Sequence, residues 1–372
     1  MNKNTEISSR SYGADLLRIV CMLMILTSHF FVHGKVLSSL KPHDINFSIC
    51  WFIEACCYVM VDCFVLITGY FQSKTTFKLK KLLLLWGQVI AISGGIYLIL
   101  AAVGKVNFSL SDFIAATTPV TSSRYWFATA YVILYIISPL LNFAIERADR
   151  RQHLIAIAVL FGFFVVFRNF FYWKEFTNLH GGYSYSSFVV LYVIGAYMRK
   201  YEIQFRHPLR WYFLLSTVTA FSRILLTVLY YKIGLDSVYL KALMQYNSVT
   251  VVLASVFLFD FFVHLDIKSQ NMRSFIRFYA PLTFGVYLVH EQIEVKNLIW
   301  SAINPSQYAK NPILYAYLAA TIIVLFFACS MVDFLRGRLS KLLRIPELFG
   351  KIGKKLENDG QKLIDSTIER KK

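Results

Sequence analysis

Charge is scarce in this 372-residue chain, at 16% charged residues against 57% hydrophobic ones. So large an apolar excess excludes a soluble fold of ordinary composition, because a core of this size could not hide it. The six cysteines include no CxxC pair, and all fall within or at the edge of apolar stretches, as packing residues do. No HExxH or other local metal-ligand spacing, Gly-rich phosphate loop or GxSxG elbow is present, which argues against a metalloprotease, a nucleotide-driven pump and a serine hydrolase, and no metal is expected. The net charge of +18 comes without a nucleic-acid recognition motif, and its basic residues punctuate apolar runs instead. No repeat period, low-complexity tract or small-residue cleavage site after a short apolar run is found, so the first apolar segment is read as a retained helix.

What is present is a series of long apolar runs. Reading for about 20 residues each predicts an all-α, polytopic integral membrane protein with about ten spans. They run roughly from Ala14 to His33, Ser48 to Phe71, Leu82 to Val103, Tyr125 to Ile145, His153 to Tyr172, Tyr183 to Met198, Trp211 to Tyr231, Tyr246 to His264, Phe278 to Ile299 and Ile313 to Asp333. The sixth is short, and nine is the alternative count. Alternate loops carry about 27 and about 8 of the Lys and Arg residues, which places both termini in the cytoplasm. Beyond Asp333 the basic residues Arg336, Arg338, Lys341, Arg344, Lys351, Lys354 and Lys355 interleave with Leu, Ile and Phe, as in an amphipathic cytoplasmic segment on anionic lipid.

The first span contains two polar residues that a lipid-facing helix would not carry without reason. Arg18 and His29 are eleven residues apart, about three turns plus 20°, so they stack on one helix face about 16 Å apart. Titratable groups at such depth mark function. Asp15 joins that face three residues earlier, and three readings apply to it: an ion pair with Arg18, a partner for His29, or a helix N-terminal charge. Its spacing favours the first.

These residues carry a family resemblance. The run Asp15-Leu-Leu-Arg18, followed by ten residues and His29, resembles the first-helix Arg-x10-His signature of the membrane-bound acyltransferase family 3, whose members O-acylate sugars from acyl-CoA. Val61-Asp-Cys-Phe-Val-Leu-Ile-Thr-Gly-Tyr70 resembles the end of that family's second helix, with Thr68 where Ser is usual. Trp126-Phe127, Tyr131, Tyr135 and Pro139 resemble a later helix, and Thr283-Phe-Gly-Val-Tyr-Leu-Val-His290 another, all in family order. The family's cytoplasmic Arg-x-x-Arg stands here as Lys78-Leu-Lys80-Lys81, which keeps the charge and loses the bidentate guanidinium. The resemblance implies a transmembrane acyltransferase domain over residues 1–334, a basic tail over 335–372, and no SGNH domain. The membrane domain would then deliver the acyl group to its acceptor alone.

Acyl transfer from a thioester to a hydroxyl needs a base for the hydroxyl proton, an acid for the leaving thiolate and support for the oxyanion. A neutral imidazole suits the first two tasks, so His29, with Asp15, is the catalytic candidate. Arg18, Lys78 and Lys81 are the candidates for binding acyl-CoA, with acetyl-CoA as co-substrate and no other cofactor. Glu54, Trp126, Arg168, Asn169, His290 and Glu294 fall in the outer halves of their spans, where an acceptor cavity would open; their types suit sugar recognition. Each could instead make an interhelical bond, such as Glu54 with Arg168. Asp62 and Arg223 lie deeper and could pair with each other, and Tyr287 could share a cavity with His290 or simply pack. The expected partners are an acyl-CoA donor, a glycan or lipid-linked glycan acceptor and membrane lipids, at the plasma membrane. The competing reading is a transporter of a glycan or polar solute that uses the buried His, Arg and carboxylates as a relay, although paired inverted halves are not visible.

Overall fold

The computed structural model describes residues 10–118, 124–167 and 180–369, which are helical with no strand among them. An apolar backbone that meets no water must satisfy its own hydrogen bonds, and a helix does so within one segment. The described residues form these α-helices: α1 Tyr12–Val32, α2 Val36–Ser39, α3 Phe47–Cys57, α4 Met60–Gln72, α5 Leu79–Ala102, α6 Leu110–Thr117, α7 Trp126–Arg147, α8 Arg150–Phe161, α9 Tyr185–Lys200, α10 Pro208–Ile233, α11 Val249–Val263, α12 Gln270–Tyr279, α13 Thr283–His290, α14 Ile293–Ile303, α15 Leu314–Leu342 and α16 Ile345–Glu369.

Among the described residues, seven helical segments are long and apolar enough to cross a membrane: Tyr12–Ser39, Phe47–Gln72, Leu79–Ala102, Trp126–Arg147, Arg150–Phe167, Pro208–Ile233 and Leu314–Leu342. The other three expected spans take shorter forms. α9 and α11, of 16 and 15 residues, are mostly buried inside the bundle. The stretch expected to run unbroken from Phe278 to Ile299 is divided, because Glu291 and Gln292 separate α13 from α14 and the Gln292 side chain caps α14 by accepting from Val295 N–H at 2.8 Å.

Helix α1 begins where Ser11 accepts from the Ala14 N–H, and it packs against α3, α4, α11, α12, α13 and α15. It is the axial element of the bundle. A close neighbouring crossing is that of α4 on α9. A Cβ on Gly69 would stand 2.3 Å from the Tyr192 carbonyl oxygen, and one on Gly195 would stand 2.5 Å from that of Leu66, so reciprocal glycines let the two backbones touch. Buried Asp62 interacts with Ser255 of α11 and does not pair with Arg223. The Arg223 guanidinium donates to the Leu240 carbonyl and lies 4.2 Å over the Trp51 ring.

The basic tail is a helix, as its amphipathic pattern implies, but part of it lies on the protein's own surface. The chain turns at Arg344, which has φ 54°, and α16 then packs along α5. Phe349 fills the space above Gly87, and Glu357 accepts from the Leu79 N–H at 2.8 Å, occupying the first turn of α5.

Candidate active site

One stripe of α1, formed by Asp15, Arg18, Met22, Ile25, His29 and Val32, lines a cavity of about 620 Å³ along its length. These positions recur at three- and four-residue steps, which keeps a helix face constant. Arg18 and His29 therefore open into one space, about 16 Å apart by helix rise. The opposite walls come from α4, α5, α7 and α13, through residues such as Thr68, Gln88, Tyr131 and Tyr287.

At the Arg18 end, Asp15 holds two cations. Its Oδ1 accepts from Arg18, and its Oδ2 accepts from Arg10 Nε at 2.5 Å. Asp15 is about 21 Å from His29 along the helix axis, so it positions Arg18 and is not the carboxylate partner of the imidazole. Lys78 and Lys81 are exposed and lie outside the cavity wall. Lys78 stands at the N-cap of α5, where its backbone N–H donates to Tyr135 Oη at 3.2 Å.

Three turns along α1 from Arg18, His29 belongs to a cluster that reading along the sequence only half recovers. Its Nδ1 is 3.0 Å from His290 Nε2 and 3.3 Å from Glu291 Oε1. His290 is fully buried, and its Nδ1 lies 2.6 Å from the Val286 carbonyl oxygen. A carbonyl can only accept, so His290 Nδ1 bears the proton and the lone pair of a neutral His290 sits on Nε2. That lone pair accepts from His29 Nδ1–H, which leaves the His29 Nε2 lone pair free of any hydrogen bond among the described residues. Glu291 completes the cluster: its Oε1 is 3.2 Å from His33 Nε2, and its Oε2 is 3.5 Å from Lys296 Nζ. His29, His290 and Glu291 present three ligand atoms within 4.8 Å of one another, a set capable of holding a metal ion although no local spacing signals it.

At the same level of α1 as His29, Glu54 is buried, accepts from Ser28 Oγ at 2.7 Å through Oε1, and has no hydrogen-bond partner for Oε2 among the described residues. Beside it stands an aromatic wall. Tyr58 and Tyr246 stack with centroids 4.9 Å apart, Tyr246 and Trp126 stack at 6.0 Å, and Tyr183 meets Trp126 at 4.6 Å. Sequence reading found Trp126 and Glu54; the three tyrosines lie in helix-end and loop positions that periodicity does not sort. Glu294 is set apart from this end of the cavity, paired with Arg124 at 3.5 Å and bonded to Gln292. Arg168 and Asn169 lie outside the described residues.

No curated protein and no solved structure matches the chain. A family profile described as an acyltransferase domain, that of acyltransferase family 3, matches residues 11–332. The match covers the axial helix, the whole cavity and the His29 cluster, and it sets the transporter reading aside: the chain belongs to acyltransferase family 3, the membrane acyltransferases.

Proposed function

We propose that the protein transfers an acyl group, acetyl in the simplest case, from cytoplasmic acyl-CoA to a hydroxyl of a cell-surface, capsular or exopolysaccharide or of its lipid-linked precursor, at the plasma membrane. The observation that carries this reading is the single cavity that joins a guanidinium toward one end to an imidazole with a free Nε2 three turns further along α1, where an aromatic wall and a carboxylate with one oxygen unpartnered among the described residues also line it. A long donor and a separate acceptor can meet in such a cavity from opposite ends.

The division of labour follows from the side chains. Arg18 receives donor phosphates through its planar fork, while Lys78 and Lys81 supply positive potential at the surface without lining the path. The acceptor sugar lays a C–H face on Trp126 and Tyr246, and Glu54 Oε2 accepts one of its hydroxyls. His29 Nε2 removes the proton of the attacking hydroxyl as the oxygen bonds to the thioester carbonyl carbon. The carbon–sulfur bond then breaks, and the imidazolium returns that proton to the thiolate, giving an ester and free CoA-SH. During the step the positive ring is stabilised by Glu291 and held in orientation by His290.

Comparison of surface glycans by NMR, between cells with and without this chain, tests the reading. Loss of one O-acyl signal with restoration by the wild-type chain supports it. Unchanged glycan acylation in cells that lack the chain contradicts the proposed acceptor class. Membranes supplied with labelled acetyl-CoA or succinyl-CoA then identify the acyl group.

A further inference from the structure

We infer that His29, His290 and Glu291 form a three-ligand site for zinc or a similar divalent ion, and that an ion bound there switches off the His29 base. Metal binding depends only on the geometry of the three ligands, whereas inhibition rests on the reading of His29 as the base.

Two of the three donor-atom spacings match such an ion, and all three atoms lie within 4.8 Å of one another. Zinc bonds of about 2.05 Å at tetrahedral angles put neighbouring ligand atoms about 3.3 Å apart. His29 Nδ1 lies 3.0 Å from His290 Nε2 and 3.3 Å from Glu291 Oε1. Two imidazoles and one carboxylate form a donor set that suits zinc, with a fourth position left to water. The supporting contacts also fit. His290 donates its other ring N–H to the Val286 carbonyl at 2.6 Å, the contact that fixes a metal-binding imidazole with its lone pair forward. Lys296 lies 3.5 Å from Oε2 of Glu291, leaving Oε1 turned to the rings. Oε1 of Glu291 is a buried carboxylate oxygen whose other close contact is His33 Nε2 at 3.2 Å, poorly aligned for a hydrogen bond. An atom in that condition gains from a cation.

Inhibition follows from proton bookkeeping. In the metal-free cluster His29 carries its proton on Nδ1 and offers the Nε2 lone pair to the acceptor. Coordination takes the Nδ1 lone pair, so a neutral His29 must carry its proton on Nε2. The ring that binds metal is therefore no longer a base, and the bond from His29 to His290 is replaced by two bonds to the ion. No proton leaves the protein in this exchange.

The test uses the full chain in detergent, purified without a histidine tag and titrated with Co²⁺. The expected result is one equivalent of Co²⁺ with visible bands of four-coordinate intensity, displaced by Zn²⁺ and lost in His290→Ala and Glu291→Gln. Lys296→Gln keeps all three ligands and removes a nearby positive charge, so it should bind Co²⁺ about threefold more tightly; it guards against misfolding of the ligand variants. Near-ultraviolet thiolate bands would assign the ion to cysteines and overturn the site, as would stoichiometric binding that survives both ligand substitutions. Zn²⁺ should also stop acyl transfer at the concentrations that displace Co²⁺, with recovery on chelation. Ligand-dependent binding without inhibition would leave the site standing and contradict the His29 base. Chelation that abolishes activity, restored by Zn²⁺, would overturn the switch.

Discussion

Replacing Glu291 by Gln removes a charge while keeping the side chain's shape, which makes it the sharpest probe of the cluster. The carboxylate oxygen is 3.3 Å from His29 Nδ1. At an effective dielectric of about 20, a full charge at that distance stabilises an imidazolium by about 5 kcal/mol. Lys296 on the other oxygen opposes this, and the amide dipole of Gln keeps part of the interaction. Halving the figure for both leaves about 2.5 kcal/mol, a loss of about 70-fold in kcat. The loss should fall on kcat with the donor KM little changed, because the interaction strengthens only as the ring becomes charged. The assay is transfer of label from acyl-CoA to glycan in membrane vesicles, normalised to the amount of inserted protein. Activity within twofold of wild type would refute the role given to Glu291.

Other substitutions separate the parts of the cavity. Arg18→Ala should raise the donor KM at least tenfold with a smaller change in kcat, whereas a fall in kcat alone would contradict its role in binding phosphates. Tyr246→Ala and Glu54→Gln should each weaken acceptor use by about tenfold, the cost of one stacked ring or one hydrogen bond, and should leave CoA-ester affinity unchanged in a direct binding assay. Gly69→Ala would drive a methyl into the Tyr192 backbone. It should cost about 3 kcal/mol, seen as a lower melting temperature in detergent, and an unchanged melting temperature would contradict the close α4–α9 crossing.

How much of this was legible in the sequence depended on whether a helix ran unbroken. Along α1 it did, so the spacing of Asp15, Arg18 and His29 was enough to stack them on one face. The stretch around His290 shows the opposite case. In a continuous helix Glu294 would lie one turn beyond His290 and share its face. The break at Glu291 and Gln292 resets that phase, brings Glu291 to His29 and sends Glu294 to Arg124. A one-dimensional pattern carries no sign of such a break, because neither Pro nor Gly marks it. The apolar runs located the long helices well. They could not distinguish them from α9 and α11, which are short because the bundle rather than lipid surrounds them. Likewise Lys78 and Lys81 carry the right charge for an anion, but the N-cap geometry of α5 and the tail helix along it are contacts between distant segments. The aromatic wall joins residues 58, 126, 183 and 246, and only the fold brings these together.

In the proposed reaction His29 is the group that moves the proton in the shared cavity. The direct measurement is single-turnover transfer of labelled acyl groups by His29→Ala and His29→Gln proteins of verified insertion, with acyl-CoA binding measured on the same preparations. Donor binding should stay close to wild type, and the transfer rate should fall by at least about 100-fold in both variants. Transfer at a rate near wild type in either variant would contradict it.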